Sequence, residues 1–505
     1  MPPPESPPPP RADAAGLAAL RADLAGAGYT VDGVRSLLGP VADAALHREQ
    51  PLAADLATRG VRDPAAVLVR CFALGMPVAT ADLDRALPGL TAVTAGALGL
   101  VELGAGDARA LCDLRPYGDE ADDWWVVSDQ SEIARGGPLP PDHVLGVGPA
   151  SMTVAQWTPR RPAGRALDLG TGCGVQALHL AGHSGTVVAT DLSERALAFA
   201  RFTTALAEVP VDLRAGNLLD PVARERFDLV VSNPPFVITP RRPGVVTYEY
   251  RDAGLVGDAV VRELVRTVGD HLEPGGVALF IGNWETRDGQ TWRDVWPSWL
   301  DGTGLDAWVV QRDDQDPAEY AELWAGDAGA RSGTPGYEDL YAAWLADFAA
   351  RGVERIGFGV VALQRPTGPR PPWSDLVDHR GPVADAMGPT VDAGLRARTW
   401  LVEHDDDALL DVAWSCAPDV TEERHARPGA ADPSVIQLRQ GGGLGLTVPL
   451  DTVGAGLVGV CDGSLTARQA LGAIAALLEQ PEAAVTATAI PVLRALVADG
   501  LLICA

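Results

Sequence analysis

The chain reads as an open, doubly wound α/β domain carried between two smaller, mainly helical domains. Three observations predict this. The length of 505 residues suits about three domains. Apolar residues make up 47% and charged residues 21%, ordinary usage for a chain that buries a core. From Val144 to Gln364, strand-like and helix-like segments alternate as a parallel sheet with crossover helices requires. The expected bounds are a disordered proline-rich tail over 1–11, an N-terminal domain with its linker over 12–130, the α/β domain over 140–366 and an α+β domain over 376–505.

The elements follow in order. In the first domain, apolar residues recur at spacings of three and four (Leu17, Leu20, Leu24, then Ala65, Leu68, Phe72), predicting short helices. Leu98 to Leu103 reads as a helix end running into a strand. The arrangement resembles a winged-helix module, but its last helix lacks the arginine cluster that DNA readers carry. Asp113–Tyr117 and Asp123–Val127 read as strands of a linker. In the central domain, strands are expected at 165–169, 186–190, 211–214, 227–232 and 277–282, and helices at 175–181, 194–207 and 258–271. Strands at 306–311 and 357–363 finish the sheet, with helical material at 318–350. The last domain shows strand-like pieces at 409–417 and 435–449, helices at 466–478 and 489–498 and a terminal strand, again winged-helix-like.

Composition removes several function classes. No lysine occurs anywhere in the chain, which excludes Schiff-base, P-loop and protein-kinase chemistry. The 67 acidic against 40 basic residues give a net charge of −27, which disfavours nucleic acid as a partner. Six scattered cysteines form no C-x-x-C pair, a pattern that suits reduced thiols. The N-terminus lacks the basic and apolar regions of a signal peptide, and no apolar run reaches the 18 or so residues a membrane helix needs. The expectation is a soluble, cytoplasmic protein with no membrane contact and an oligomeric state that sequence does not reveal.

Leu167-Asp168-Leu169-Gly170-Thr171-Gly172-Cys173-Gly174 lies where a strand turns into a helix. Glycines there let the backbone approach a ligand, and the helix presents free N–H groups. The spacing is G-x-G-x-G, not the dinucleotide G-x-G-x-x-G, and Asp168 suits a cationic cofactor. Asp191 ends the next strand, where a carboxylate can accept both hydroxyls of a ribose. The ligand reads as a nucleoside with a positive tail.

On these residues the sequence resembles the class I S-adenosylmethionine-dependent methyltransferases, over roughly Val144 to Gln364, so the fold expected is that Rossmann-like sheet. The resemblance implies S-adenosyl-L-methionine as cofactor. It places that cofactor on Asp168, Gly170, Thr171, Gly172, Gly174, Asp191, Leu192 and, facing the adenine, Asn217. Asn233-Pro234-Pro235-Phe236, at the end of the fourth strand, is similar to the (D/N)-P-P-(Y/F/W) signature of amino methyltransferases, which act on adenine N6, guanine N2 or glutamine N5. The last are the HemK/PrmC-like enzymes. An amide nitrogen is a poor nucleophile because its lone pair is delocalised. The Asn233 oxygen and the Pro234 carbonyl can each accept one of its N–H groups, aiming the lone pair at the sulfonium methyl. Proline at 234 and 235 stiffens the turn, and Phe236 offers a face for a planar acceptor. Asn233 thus lies toward both cofactor and acceptor. The glutamine enzymes usually carry Tyr where this chain has Phe236.

The reading is an N-methyltransferase, with a protein glutamine preferred as acceptor because of the net charge. Alternatives are a nucleobase of RNA or DNA, for which Arg241, Arg242 and Arg251 would form a positive mouth, a small natural product, or a non-catalytic sensor of the cofactor. Tyr248 to Leu255 is a candidate substrate loop, and Thr158 and Arg160 candidates for the methionine carboxylate. His179, His183 and Cys173 are a conceivable but disfavoured metal set, so no metal is expected. Trp284, Trp292, Trp296 and Trp299 read as core packing, and Asp405-Asp406-Asp407 as a solvated turn.

Overall fold

A computed structural model of the chain describes residues 6–119, 121–137, 139–242, 247–252, 254–327 and 332–504. It divides into two compact units, one of Met1–Ala155, Pro162–Thr303 and Asp313–Val361, the other of Gln156–Arg161, Gly304–Arg312 and Ala362–Ala505.

The first unit holds a sheet of strands β1 (Ala163–Leu169), β2 (Ser184–Asp191), β3 (Asp212–Ala215), β4 (Phe227–Ser232), β5 (Leu272–Arg287) and β6 (Val353–Gln364), in the order β6-β5-β4-β1-β2-β3. The β1–β2, β1–β4, β2–β3 and β4–β5 pairs are all parallel. β1 and β4 are nearly unbroken buried runs, the signature of strands covered on both faces. Register aligns Leu169 with Thr190 and Ser232, Asp191 with Ala215, and Ser232 with Phe280. The carboxyl ends of four strands therefore lie side by side, where open α/β sheets bind ligands. Helix α1 (Val175–Ala181) follows β1 and α2 (Glu194–Leu206) follows β2. Helices α3 (Pro317–Asp327) and α4 (Pro335–Arg351) precede β6.

The N-terminal helices fall in the same unit because their apolar faces share one core with α1 and α2. Leu17, Leu20, Leu24 and Phe72 pack with Val175, Leu178, Phe199 and Phe202, and each such buried Leu or Phe contributes about 2 kcal/mol. The linker strands form an antiparallel hairpin, Asp113–Gly118 with Asp123–Ser128. Tyr29 donates to the Leu114 carbonyl at 2.8 Å and Trp125 Nε1 to the Tyr29 carbonyl at 2.6 Å, pinning the hairpin to the helices. Arg195 of α2 pairs with buried Asp129, its Nε at 3.0 Å from Oδ2.

The tail differs from expectation. Residues 1–5 lie outside the described residues. Residues 6–11, expected to be disordered, lie against the body: Ser6 Oγ donates to Asp142, Arg195 Nη1 donates to the Pro7 carbonyl at 2.5 Å, and the Arg11 amide donates to the Leu98 carbonyl at 2.8 Å. A proline-rich segment makes no internal hydrogen bonds, which leaves the Pro7 carbonyl available to Arg195.

In the second unit, the strand segment from Asp306 runs parallel to Ser374–Asp378, pairing Ala307 with Ser374 through Gln311 with Asp378. Buried Arg398, on the helix Gly388–Glu403, donates to Asp375 at 2.7 Å, to the Ala498 carbonyl at 2.5 Å and to Asp499 at 3.0 Å, and lies 4.1 Å over the Trp308 ring. A second core joins Leu409, Trp414, Leu471, Leu493 and Leu502. Two expectations are corrected here. The strand expected over 409–417 is only Trp414–Cys416, because Asp406–Leu410 is a helix. The acid run is not a plain turn either, since Asp405 caps that helix by accepting from the Ala408 amide at 2.9 Å, with Asp406 and Asp407 in its first turn, where the helix dipole favours them. Among the described residues no helix is long and apolar enough to cross a membrane.

Candidate active site

β1 delivers Asp168 and the glycine loop, and the loop opens outward. Gly170 and Gly172 have φ of 73° and 56°, and no atom lies within 4 Å of where a Cβ would stand at either, so a ligand can lie directly on the backbone. Gly174, φ 93°, answers to packing: a Cβ there would come within 3.4 Å of Ala200 Cα in α2. Asp168 is fully buried beneath the loop. Its Oδ2 accepts from Thr171 Oγ1 at 2.6 Å and from the Ala177 amide at 3.0 Å, while Oδ1 has no partner among the described residues. Burial pushes its carboxyl up to about 7 against those two hydrogen bonds.

Asp191, at the end of β2, braces the same loop. Its Oδ2 accepts from the Gly172 amide and its Oδ1 from the Ser193 amide, both at 2.9 Å, and burial holds it above the ordinary carboxylate range. Beside it Leu192 is 71% exposed, which leaves an apolar surface open next to the rim acid. The Gly216 amide donates to the Asp191 carbonyl at 3.0 Å, which brings the turn carrying exposed Asn217 alongside. An unpartnered buried carboxylate oxygen, an open glycine loop, a rim acid and an exposed leucine fit an adenosine whose far end is cationic.

The Asn-Pro-Pro-Phe segment starts where β4 leaves the sheet. Ser232 Oγ donates to the Leu169 carbonyl at 2.7 Å, so Asn233 emerges beside the glycine loop. Asn233 Nδ2 donates to Ser151 Oγ at 3.3 Å. Ser151 is held in turn, its carbonyl accepting from Gln176 Nε2 of α1 at 2.7 Å. Pro234 is buried and Pro235 half-buried. Phe236 does not offer the open stacking face expected of it: it is 8% exposed, with Trp324 and Phe358 ring centroids at 6.3 and 5.6 Å. These aromatics, on α3 and β6, surround the motif from a part of the chain about 90 to 120 residues away in sequence, as the residue numbers show.

The candidate loop Tyr248–Leu255 lies against the motif. Phe236 bridges Asp252, and the Val237 amide donates to the Arg251 carbonyl at 2.9 Å; Ala253 is outside the described residues. The positive mouth does not form as expected. Arg251 is buried, 4.7 Å over the Tyr248 ring and 5.8 Å over Trp324. Arg241 pairs with Asp252, and Arg242 alone of the three is exposed. Thr158 is buried, and with Arg160 it belongs to the second unit. His179 is engaged structurally, its Nε2 2.7 Å from Tyr117 Oη and its Nδ1 3.0 Å from Asp119. Trp284, Trp292, Trp296 and Trp299 form a buried cluster, with the Trp284 ring centroid 5.9 Å from Trp292 and 5.2 Å from Trp296, and Trp296 5.0 Å from Trp299. Sequence reasoning passed over Ser151, Tyr320, Trp324 and Phe358, all of which approach the motif only through tertiary contact.

Fold and site together have the form of the class I S-adenosylmethionine-dependent methyltransferases. Comparison with known families narrows the likeness: the methyltransferase small domain matches residues 146–291. On either side, two domains of unknown function, DUF7059 and DUF7782, match 26–111 and 392–504. The chain is similar to a release factor glutamine methyltransferase of Geobacter sulfurreducens, 37% identical over 25% of this chain and 48% of the relative. It is also similar to a ribosomal protein uL3 glutamine methyltransferase of Bradyrhizobium diazoefficiens, 30% identical over 35% and 59%. A ribosomal RNA small subunit methyltransferase C of Salmonella arizonae is 29% identical over 35% and 46%. The chain thus spans about half the length of the curated relatives it matches.

A cationic ligand favours the ionised form of Asp168. As pH falls through about 7 the carboxyl takes up a proton and that attraction is lost. Affinity for S-adenosylmethionine, measured by calorimetry, is therefore expected to weaken about 10-fold between pH 8 and pH 6, and Asp168→Asn should flatten the profile. A profile equally steep in that variant would contradict the assignment.

Proposed function

We propose that the chain is an N-methyltransferase acting on an amide nitrogen, and that its acceptor is a glutamine side chain of a protein. The observation that carries this is the state of the Asn233–Phe236 segment. Two acceptor groups, Asn233 Oδ1 and the Pro234 carbonyl, stand at the carboxyl end of β4 beside the glycine loop, while Phe236 is buried and Arg241 and Arg251 are engaged within the chain. A slim primary amide needs the first pair and nothing more. A flipped base is usually held by stacking, and the face that would supply it is covered. The glutamine methyltransferases among the relatives support the same acceptor.

In this reading Asp168, Gly170, Thr171, Gly172, Gly174, Asp191, Leu192 and Asn217 hold the cofactor, which supplies an electrophilic methyl group when bound. Asn233 and Pro234 each accept one N–H of the acceptor amide. That draws the nitrogen out of conjugation and orients its lone pair, and Ser151 holds the Asn233 carboxamide through one hydrogen bond. Pro235 stiffens the turn behind them. Buried Phe236 and the Tyr248–Asp252 loop wall the entry and exclude water, and the proton released on transfer leaves to solvent. Location in the cytoplasm belongs to the same proposal and is supported by the six free thiols.

A second reading, methylation of a nucleobase amine, draws on the ribosomal RNA relative. The two separate when the protein is incubated with methyl-labelled S-adenosylmethionine and an extract from cells lacking the gene. Label is expected in the protein fraction; label in RNA would replace the first reading with the second.

A further inference from the structure

Helices α3 and α4 lie beyond residue 291, outside the part of the chain that matches the methyltransferase small domain, yet they reach the centre of the site. Ile238, two residues past the motif, has both its backbone groups taken by their side chains. Its amide donates to Tyr320 Oη of α3 at 2.9 Å, and its carbonyl accepts from Trp344 Nε1 of α4 at 2.7 Å. Tyr320 Oη also accepts from Asn283 Nδ2 of β5 at 2.6 Å. Tyr320 is 2% exposed and Trp344 fully buried, so water competes for neither bond. Trp324 of α3 adds the contact with the Phe236 ring.

We propose that Tyr320 and Trp344 are positioning residues for methyl transfer, fixing the downstream end of the Asn233–Phe236 segment as β4 fixes its upstream end. The proposal rests on the amide N-methyltransferase reading. The physical reason is the Pro234 carbonyl, whose direction is set by the peptide plane between two prolines. With φ of Pro235 locked by its ring, that plane can still swing if the chain beyond it is loose. Clamping the N–H and C=O of one residue three positions on from Pro235 removes that freedom, and a displacement of about 1 Å at a reacting group costs about 100-fold in rate.

The test uses the full chain carrying Tyr320→Phe, which keeps the ring and removes the acceptor shared by the Ile238 amide and Asn283 Nδ2, or Trp344→Phe, which keeps a ring and deletes the bond to the Ile238 carbonyl. Trp296→Phe is the control, a fully buried tryptophan whose indole N–H makes no hydrogen bond among the described residues. Amide hydrogen exchange of peptides covering 236–241 is expected to rise about 10-fold in both test variants, with peptides covering 168–176 unchanged and the control like the parent. Under the same conditions kcat should fall about 10- to 100-fold, with KM for S-adenosylmethionine within about twofold of the parent. Unchanged exchange in both test variants would overturn the proposal, as would faster exchange with kcat preserved, or an equal loss of kcat in Trp296→Phe. If the parent chain itself transfers methyl to no glutamine, the acceptor reading fails, and the exchange rates still decide whether the clamp exists.

Discussion

Asn233→Ala is expected to lower methyl transfer by about 1,000-fold while leaving affinity for S-adenosylmethionine within about twofold. Alanine removes the oxygen that accepts one acceptor N–H and leaves the Pro234 carbonyl alone with the other. An amide nitrogen held by one bond keeps its conjugation and its lone pair stays delocalised, so the loss falls on kcat. Cofactor affinity survives because the glycine loop, Asp168 and Asp191 are braced through their own hydrogen bonds and through none that Asn233 makes. Single-turnover transfer and calorimetry on the same preparation separate the two effects. A variant that still transfers methyl at the parent's rate would sink the assignment of Asn233.

Asp191→Ala is expected to weaken cofactor binding about 100-fold or more. Two hydrogen bonds to a carboxylate contribute about 1.5–3 kcal/mol each, and about 1.4 kcal/mol is a tenfold change in affinity. The substitution also leaves the Gly172 and Ser193 amides without the acceptor they share, so the loop loosens as well. Asp191→Asn, which keeps one acceptor oxygen, should lose less. Saturating cofactor should restore much of kcat in either variant, the opposite of the pattern at Asn233. A calorimetric affinity unchanged in Asp191→Ala would place the ribose elsewhere.

The parts of this site that sequence made legible are those set by local chemistry. The glycine loop, Asp168 two residues before it and Asp191 at the next strand end read directly, because turn, acid and strand are neighbours in sequence and the strand runs are buried on both faces. α1 appears over 175–181 and β4 over 227–232 as expected. What sequence did not disclose is tertiary. Phe236 looks like an open platform until Trp324 and Phe358 close over it, and Arg251 looks like a basic side chain at a mouth until Tyr248 and Trp324 surround it. Ser151 precedes the first motif in an undistinguished helix, and only the fold sets it against Asn233. The helix Gly388–Glu403 went unread because small and polar residues interrupt its apolar stripe, and its burial depends on Arg398 reaching Asp375 and Asp499. The net charge of −27 argued against nucleic acid only in bulk; the engaged state of Arg241 and Arg251 makes the same case at the site.

The most direct test of the acceptor is mass spectrometry at residue resolution. Protein from cells lacking the gene is treated with the purified chain and deuteromethyl-labelled S-adenosylmethionine, digested and sequenced. A labelled methyl group on a glutamine side-chain nitrogen, absent when Asn233→Ala replaces the parent chain, is the expected result. Label confined to RNA bases or small molecules, with every glutamine unmodified, would contradict it.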